Sequence, residues 1–124
     1  MNRNNIELFT SLAKANAGTA AELWKKYTEE GNDTQQAISE KLYRDYTALA
    51  EKIHSTGDCY LPTKADIAML SIAATVAIGQ IQNTIASMEK LLECYKQVII
   101  PRFNDILDRA ADDNEAGQMA NEYF

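Results

Sequence analysis

Between Asp66 and Glu89 the chain carries no charged side chain, although Asp, Glu, Lys and Arg make up 24% of its 124 residues. Such a run is a membrane span, a buried element of a helical fold, or a surface kept apolar for a partner. A span needs about twenty predominantly apolar residues. Here the strongly apolar part ends near Ile78, and Gln80, Gln82 and Asn83 follow, with no flanking Lys/Arg cluster or Trp belt. No transmembrane segment is expected. At helical spacing Ile67, Leu70, Ala74, Ile78, Ile81, Ile85, Met88 and Leu92 share one face, while Ala68, Ser71, Thr75, Gly79 and Ala86 form a second face of small residues. A helix apolar nearly all round is a buried one. Its small face admits another backbone closely, from the same subunit or from a copy.

The rest of the chain supplies helices to bury it. Asn4 or Asn5 can cap a first helix whose seam reads Ile6, Phe9, Ala13, Asn16, Ala20, Leu23 and Tyr27, and Gly31 and Asn32 end it. Asn16 is the polar member of that seam, and Gly18 suggests a close helix crossing. Asp33 or Thr34 starts a second helix with Ile38, Leu42, Tyr46, Leu49 and Ile53 on one side. The connection is short, so the two should fold back as an antiparallel hairpin. "HSTGDCYLP" breaks the helical pattern, and "TKAD" opens the third helix, with Thr63 as cap and Asp66 three residues on. The periodicity continues through Tyr95, Val98 and Ile99 to Pro101, and resumes at Phe103, Ile106, Leu107 and Ala110. Proline removes an amide donor, so a kink near residues 97–101 or a break there is expected. The expected fold is an all-α antiparallel bundle of three long helices in one domain, residues 1–124. The third is kinked or broken near Pro101 to give a fourth, and residues 115–124 form a frayed or partner-ordered acidic tail.

Charge and motifs exclude several chemistries. The net charge is −6, and residues 102–124 hold six acids against two arginines. No basic patch exceeds Lys25–Lys26, so no nucleic-acid partner is expected. The N-terminal stretch lacks an apolar signal core, which places the chain in the cytoplasm and its two cysteines, Cys59 and Cys94, in the reduced state. The one histidine, His54, sits near the end of the second helix. With Asp58 and Cys59 it makes a nucleophile-type set crowded on one loop, without a glycine-framed turn. Asp105, Asp108 and Asp112 share a helical face, but a second helix offering carboxylates is missing and the EF-hand pattern fails at Tyr123. No catalytic residue, no metal ligand and no cofactor is expected.

What remains is contact chemistry. Six tyrosines and Trp24 offer large amphipathic area, and Trp24 and Tyr43 lie off the main stripes of their helices. With Ser71, Thr75, Gly79 and Ala86 they are the candidate interaction residues. The chain reads as a non-enzymatic, self-associating helical module that binds a protein partner or small ligand through its surface or an inter-subunit groove. A second reading comes from "FTSLAKANAGTAAELWKKY", residues 9–27, which resembles the opening of granule-coating phasins. That resemblance implies an amphipathic coat on a lipid or polymer granule. Such coats tend to turn basic faces to anionic lipid, whereas this chain is acidic.

Overall fold

The computed structural model describes residues 1–81 and 89–124, with residue 81 described for its backbone only. Asn2, not Asn4 or Asn5, caps α1 (Arg3–Glu30): its side-chain oxygen accepts from the Asn4 amide at 2.8 Å. The helix stops where Gly31 takes φ +70°, a left-handed conformation that glycine enters without a Cβ clash. The amides of Gly31 and Asn32 then close on the carbonyls of Thr28 and Tyr27. Asn32 at once caps α2 (Asp33–Thr56) by accepting from the Gln35 amide. So short a link folds α2 back along α1 as the expected hairpin. A 3₁₀ turn (Gly57–Cys59), entered by Gly57 at φ +64°, leads to α3 (Lys64–Ile81). Thr63 and Asp66 cap α3 reciprocally. The Thr63 hydroxyl accepts from the Asp66 amide at 3.1 Å, and the Asp66 carboxylate from the Thr63 amide at 3.3 Å.

Beyond the undescribed stretch, α4 (Glu89–Cys94), a π-helical turn (Tyr95–Ile99) and α5 (Ile100–Arg109) follow one another without a non-helical residue. Pro101 has no amide to close a four-residue ring. The turn before it is widened instead, with the Ile100 amide reaching back to the Tyr95 carbonyl. Lys64, at the start of α3, donates from Nζ to the Ala110 carbonyl at 2.9 Å and from its amide to Asp113 at 3.0 Å. α3 therefore begins where α5 ends and packs against it antiparallel. The structure is the expected all-α bundle, but its fourth long helical path does not come from a break at Pro101. The periodicity that suggests one third helix reaching Arg109 belongs to two antiparallel helices that face the same core. The parts of that reading that concern Ile85, Ala86, Met88 and the Ile81 side chain lie outside the described residues.

The acidic tail is also corrected. Residues 113–123 form α6 (Asp113–Tyr123), capped by Asp112, which accepts from the Glu115 amide at 2.9 Å. Ala116 and Ala120 are fully buried, and Phe124 inserts its ring against Phe9 and Phe103 at centroid distances of 5.0 and 5.5 Å. Phe9 and Phe103 themselves meet at 5.4 Å. Three aromatic rings from α1, α5 and the end of α6 thus close one pole of the bundle. Each contributes about 2–3 kcal/mol by burial.

Two buried polar ties set how the helices sit along one another. Tyr46, 2% exposed on α2, donates its hydroxyl to the Met69 carbonyl of α3 at 2.8 Å and also meets the Asn16 side chain of α1. The seam asparagine is therefore a partner for a buried tyrosine. The Asp66 carboxylate, in a residue 8% exposed, accepts from Lys52 Nζ at 2.6 Å and from the Tyr60 hydroxyl at 2.8 Å. Burial first, and then the adjacent negative charge of Asp66, pushes the Tyr60 phenol far above its ordinary range. Tyr60 is a permanent donor here. Gly18 is no crossing point, because it is exposed and a Cβ there would meet open space.

Two outcomes follow in urea denaturation. Gly18→Ala should stabilise the protein by roughly 0.5–1 kcal/mol, since it removes mid-helix glycine entropy at no steric cost. Asp66→Asn should destabilise it by roughly 1–3 kcal/mol, because the oxygen that Lys52 and Tyr60 share loses the negative charge that pairs the ammonium.

Candidate interaction surface

The hairpin is longer than the described part of the helix that follows it. α1 has 28 residues and α2 has 24, against 18 in α3. At 1.5 Å per residue α1 outruns the described part of α3 by about 15 Å. The Gln80 amide of α3 donates to the Thr19 hydroxyl of α1 at 3.0 Å, which places the described end of α3 beside Thr19. Ala20 is the last buried residue of α1. Everything from Ala21 to Glu30, with the opposing turns of α2, forms a two-helix arm.

The apolar stripes run on into this arm. On α2, Tyr46, Leu49 and Ile53 are 0–4% exposed, but Leu42 and Ile38 on the same stripe are 41% and 49% exposed. Leu23, expected in the α1 seam, is 37% exposed. Heptad spacing marks which side of a helix is apolar; it does not say where the neighbouring helix stops. The exposure of these three residues is what the sequence reading missed, since their stripe positions are the same as those of buried neighbours.

Trp24 and Tyr43 behave differently from the expectation of two separately exposed aromatics. Both are half-buried and lie against each other across the hairpin, with ring centroids 5.8 Å apart at 42°. Trp24 also lines an open groove of about 500 Å³ with Ala21, Lys25, Thr28, Glu29 and Gln36. The Trp24–Tyr43 contact is the apolar clasp of the arm, and one side of the indole stays accessible.

The small-residue side of α3 is only partly covered. Ser71 is half-buried, Thr75 and Gly79 are exposed, and the Thr75 hydroxyl turns back to the Ser71 carbonyl at 3.0 Å. Ile72, on the same open side, is 57% exposed. A Cβ at Gly79 would meet open space, so this position is not the close-packed point that a small-residue face allows. The expectation that an uncharged helix is buried all round is corrected. α3 buries Ile67, Leu70, Ala73 and Ala74 and leaves a neutral strip outward. Ala86 lies outside the described residues.

The charged side chains singled out in the sequence serve structural contacts. Asp105 accepts from Arg109 at 3.0 Å and from the Tyr123 hydroxyl, Asp112 caps α6, and Asp113 holds the start of α3. Arg102 donates to the Tyr123 carbonyl at 2.7 Å and lies over the Phe124 ring. His54, Asp58 and Cys59 are all exposed. Among the described residues no group of three or more His, Cys, Asp or Glu side chains is arranged to hold a metal ion. Among them, too, no single helix is long and apolar enough to cross a membrane. α2 and α3 reach that threshold only as a pair bent by 115°, and their most apolar sides line the core.

Known proteins add nothing to this geometry: no protein-family model matches the chain, and neither a curated protein nor a solved structure shows significant similarity to it.

The Tyr123 hydroxyl, with Arg109, holds the Asp105 carboxyl below its ordinary value of 3.8. A depressed folded-state value means that the contribution is present above that pH and is lost as pH falls through the lower folded value. Tyr123→Phe should therefore flatten the acid limb of the stability curve. Thermal melts should separate the variant from the parent near neutral pH and bring them together once the pH has fallen through the lowered folded-state value.

Proposed function

We propose that this protein is a helical interaction module that associates with itself and offers the apolar face of its α1–α2 arm to a protein partner. The observation that carries the reading is the stripe that passes from buried to exposed along one helix: Tyr46, Leu49 and Ile53 inside, Leu42 and Ile38 outside. Scattered exposed leucines are ordinary. Residues that continue a core stripe are not scattered: Ile38 and Leu42 precede Tyr46 at four-residue steps on α2, and Leu23 follows the buried Ala20 on α1. The arm also has mixed charge, with Lys25, Lys26, Lys41 and Arg44 among Glu22, Glu29, Glu30, Asp33, Glu40 and Asp45. That balance suits a protein surface better than an anionic lipid or a phosphate backbone.

Light scattering coupled to size exclusion, with and without liposomes, tests the self-association. A discrete oligomer indifferent to liposomes is expected; a monomer at every concentration, or one that gains helicity on lipid, overturns it. Leu42→Glu tests the arm. Leu42 lies at the surface, so the unfolding free energy should stay within about 0.5 kcal/mol of the parent. A partner that co-purifies with the parent from its host should be lost with the variant. Equal capture by both removes the arm from the reading.

A further inference from the structure

The outward side of α3 carries no charge. Ala65, Ala68, Met69, Ile72, Thr75 and Val76 recur at three- and four-residue steps, so they share one side of the helix. Ala65, Ile72 and Thr75 are exposed and the other three are half-buried. Among the described residues Ile72, 57% exposed, is the most open of the large apolar side chains. The two charged residues of α3 are both engaged within the subunit, Asp66 with Lys52 and Tyr60, and Lys64 with the Ala110 carbonyl. By contrast α2 carries Glu40, Lys41, Arg44 and Glu51 away from its core stripe, as a helix that faces water usually does.

The strip can also lose its water without stranding a polar side chain. Its one hydroxyl, on Thr75, already donates to the Ser71 carbonyl at 3.0 Å. No unpaired donor or acceptor on these six side chains would oppose burial.

Charge and size decide what fits against it. Each copy of this chain carries a net charge of −6, so two copies repel unless the faces that meet are neutral. The strip is neutral, and it matches itself in size. About a two-fold axis through Ile72, antiparallel copies set positions equally far before and after that residue against each other. Ala68 then meets Val76, and Met69 meets Thr75, a small side chain against a larger one each time, with Ile72 on Ile72 at the centre. A parallel pair would instead set Met69 on Met69 and Ala68 on Ala68, crowding one layer and leaving a gap in the next.

We propose that the self-associated form is a two-fold dimer in which the outward strips of two α3 helices lie antiparallel, with Ile72 on the axis. This rests on the self-association proposed above and names its surface. From Ala65 to Val76 the strip rises about 16 Å, short for a standard interface of about 800 Å² per partner, so the dimer is reversible and builds up with concentration.

Sedimentation velocity over a concentration series tests the surface. The parent should shift from monomer toward dimer as its concentration rises, and Ile72→Glu should stay monomeric with an unchanged circular dichroism spectrum. A variant that dimerises like the parent overturns the strip and leaves self-association standing. A parent that is monomeric throughout overturns both. Single cysteines then test the register, in a Cys59→Ser, Cys94→Ser background. Ile72→Cys places two thiols across the axis and should give a covalent dimer on mild oxidation. Ala65→Cys should not, because antiparallel pairing holds the two copies of residue 65 fourteen positions apart, about 21 Å. Both replaced residues are exposed, so each variant keeps its fold. Equal cross-linking of the two variants, or of neither, overturns the antiparallel arrangement.

Discussion

The Tyr46 hydroxyl is the contact on which the arrangement of the helices depends. A phenol 2% exposed cannot be left without partners, because an unpaired buried hydroxyl costs on the order of 1–3 kcal/mol. Its hydroxyl donates to the Met69 carbonyl of α3, and the Asn16 side chain of α1 stands beside it. Apolar stripes alone would let α3 slide along the hairpin by a turn at little cost, since one alanine or isoleucine replaces another. The hydroxyl does not permit that. With the register set at Tyr46, Asp66 arrives beside Lys52 and Tyr60 at one end of α3, and Gln80 arrives beside Thr19 at the other. The free length of the arm follows from the same constraint. A slide of one turn toward the hairpin tip would cover more of Leu23 and Leu42 and would leave the Asp66 carboxylate without its cation.

How far this could be read in the sequence differs from element to element, for physical reasons. The hairpin was legible because its determinants are local: Gly31 with positive φ, Asn32 as a cap, and stripes at three and four residues. The start of α3 was legible for the same reason, since Thr63 and Asp66 satisfy each other within four residues. The antiparallel course of α3 and α5 was not. Periodicity reports only that successive faces are apolar, and two helices facing one core continue a single pattern when their registers agree. α6 was hidden by composition, because its buried face is Ala116, Gly117 and Ala120, small residues that carry little hydrophobic signal. Only the adjacent Tyr123 and Phe124 mark that end of the chain as core, and two aromatics after four acids read as a solvent-exposed tail.

The candidate residues divide along the same line. Trp24 and Tyr43 were identifiable as large aromatics off the core stripes, but their contact with each other needs the register of the hairpin, which is a tertiary property. Ser71, Thr75 and Gly79 were correctly placed on one side of α3. Whether another helix covers that side depends on where α1 and α5 lie, and no residue within α3 records it. Ile72 shows the consequence: a β-branched apolar residue on a helix without charges faces outward because both neighbouring helices pack on the opposite side.

The arm and the pole closed by α6 are held by interactions of different strength. At the α6 pole three phenylalanine rings are buried together and the neighbouring polar groups are paired, so opening it exposes a large apolar area at once. The arm is held by the Trp24–Tyr43 contact, the Asn32 cap and exposed ion pairs such as Glu40–Arg44 and Lys41–Asp45. Pairs of that kind contribute about 0.3–0.5 kcal/mol each, and two short helices in water are marginal on local terms alone. The arm is thus the part of the hairpin with least support from the described fold, and a protein surface laid over Leu23, Ile38 and Leu42 would supply the burial that they lack. A segment near the edge of stability gains more order from a contact than a rigid one does, which is why an extended hairpin with its core stripe left open is better suited to engaging another molecule than the closed pole at its opposite end.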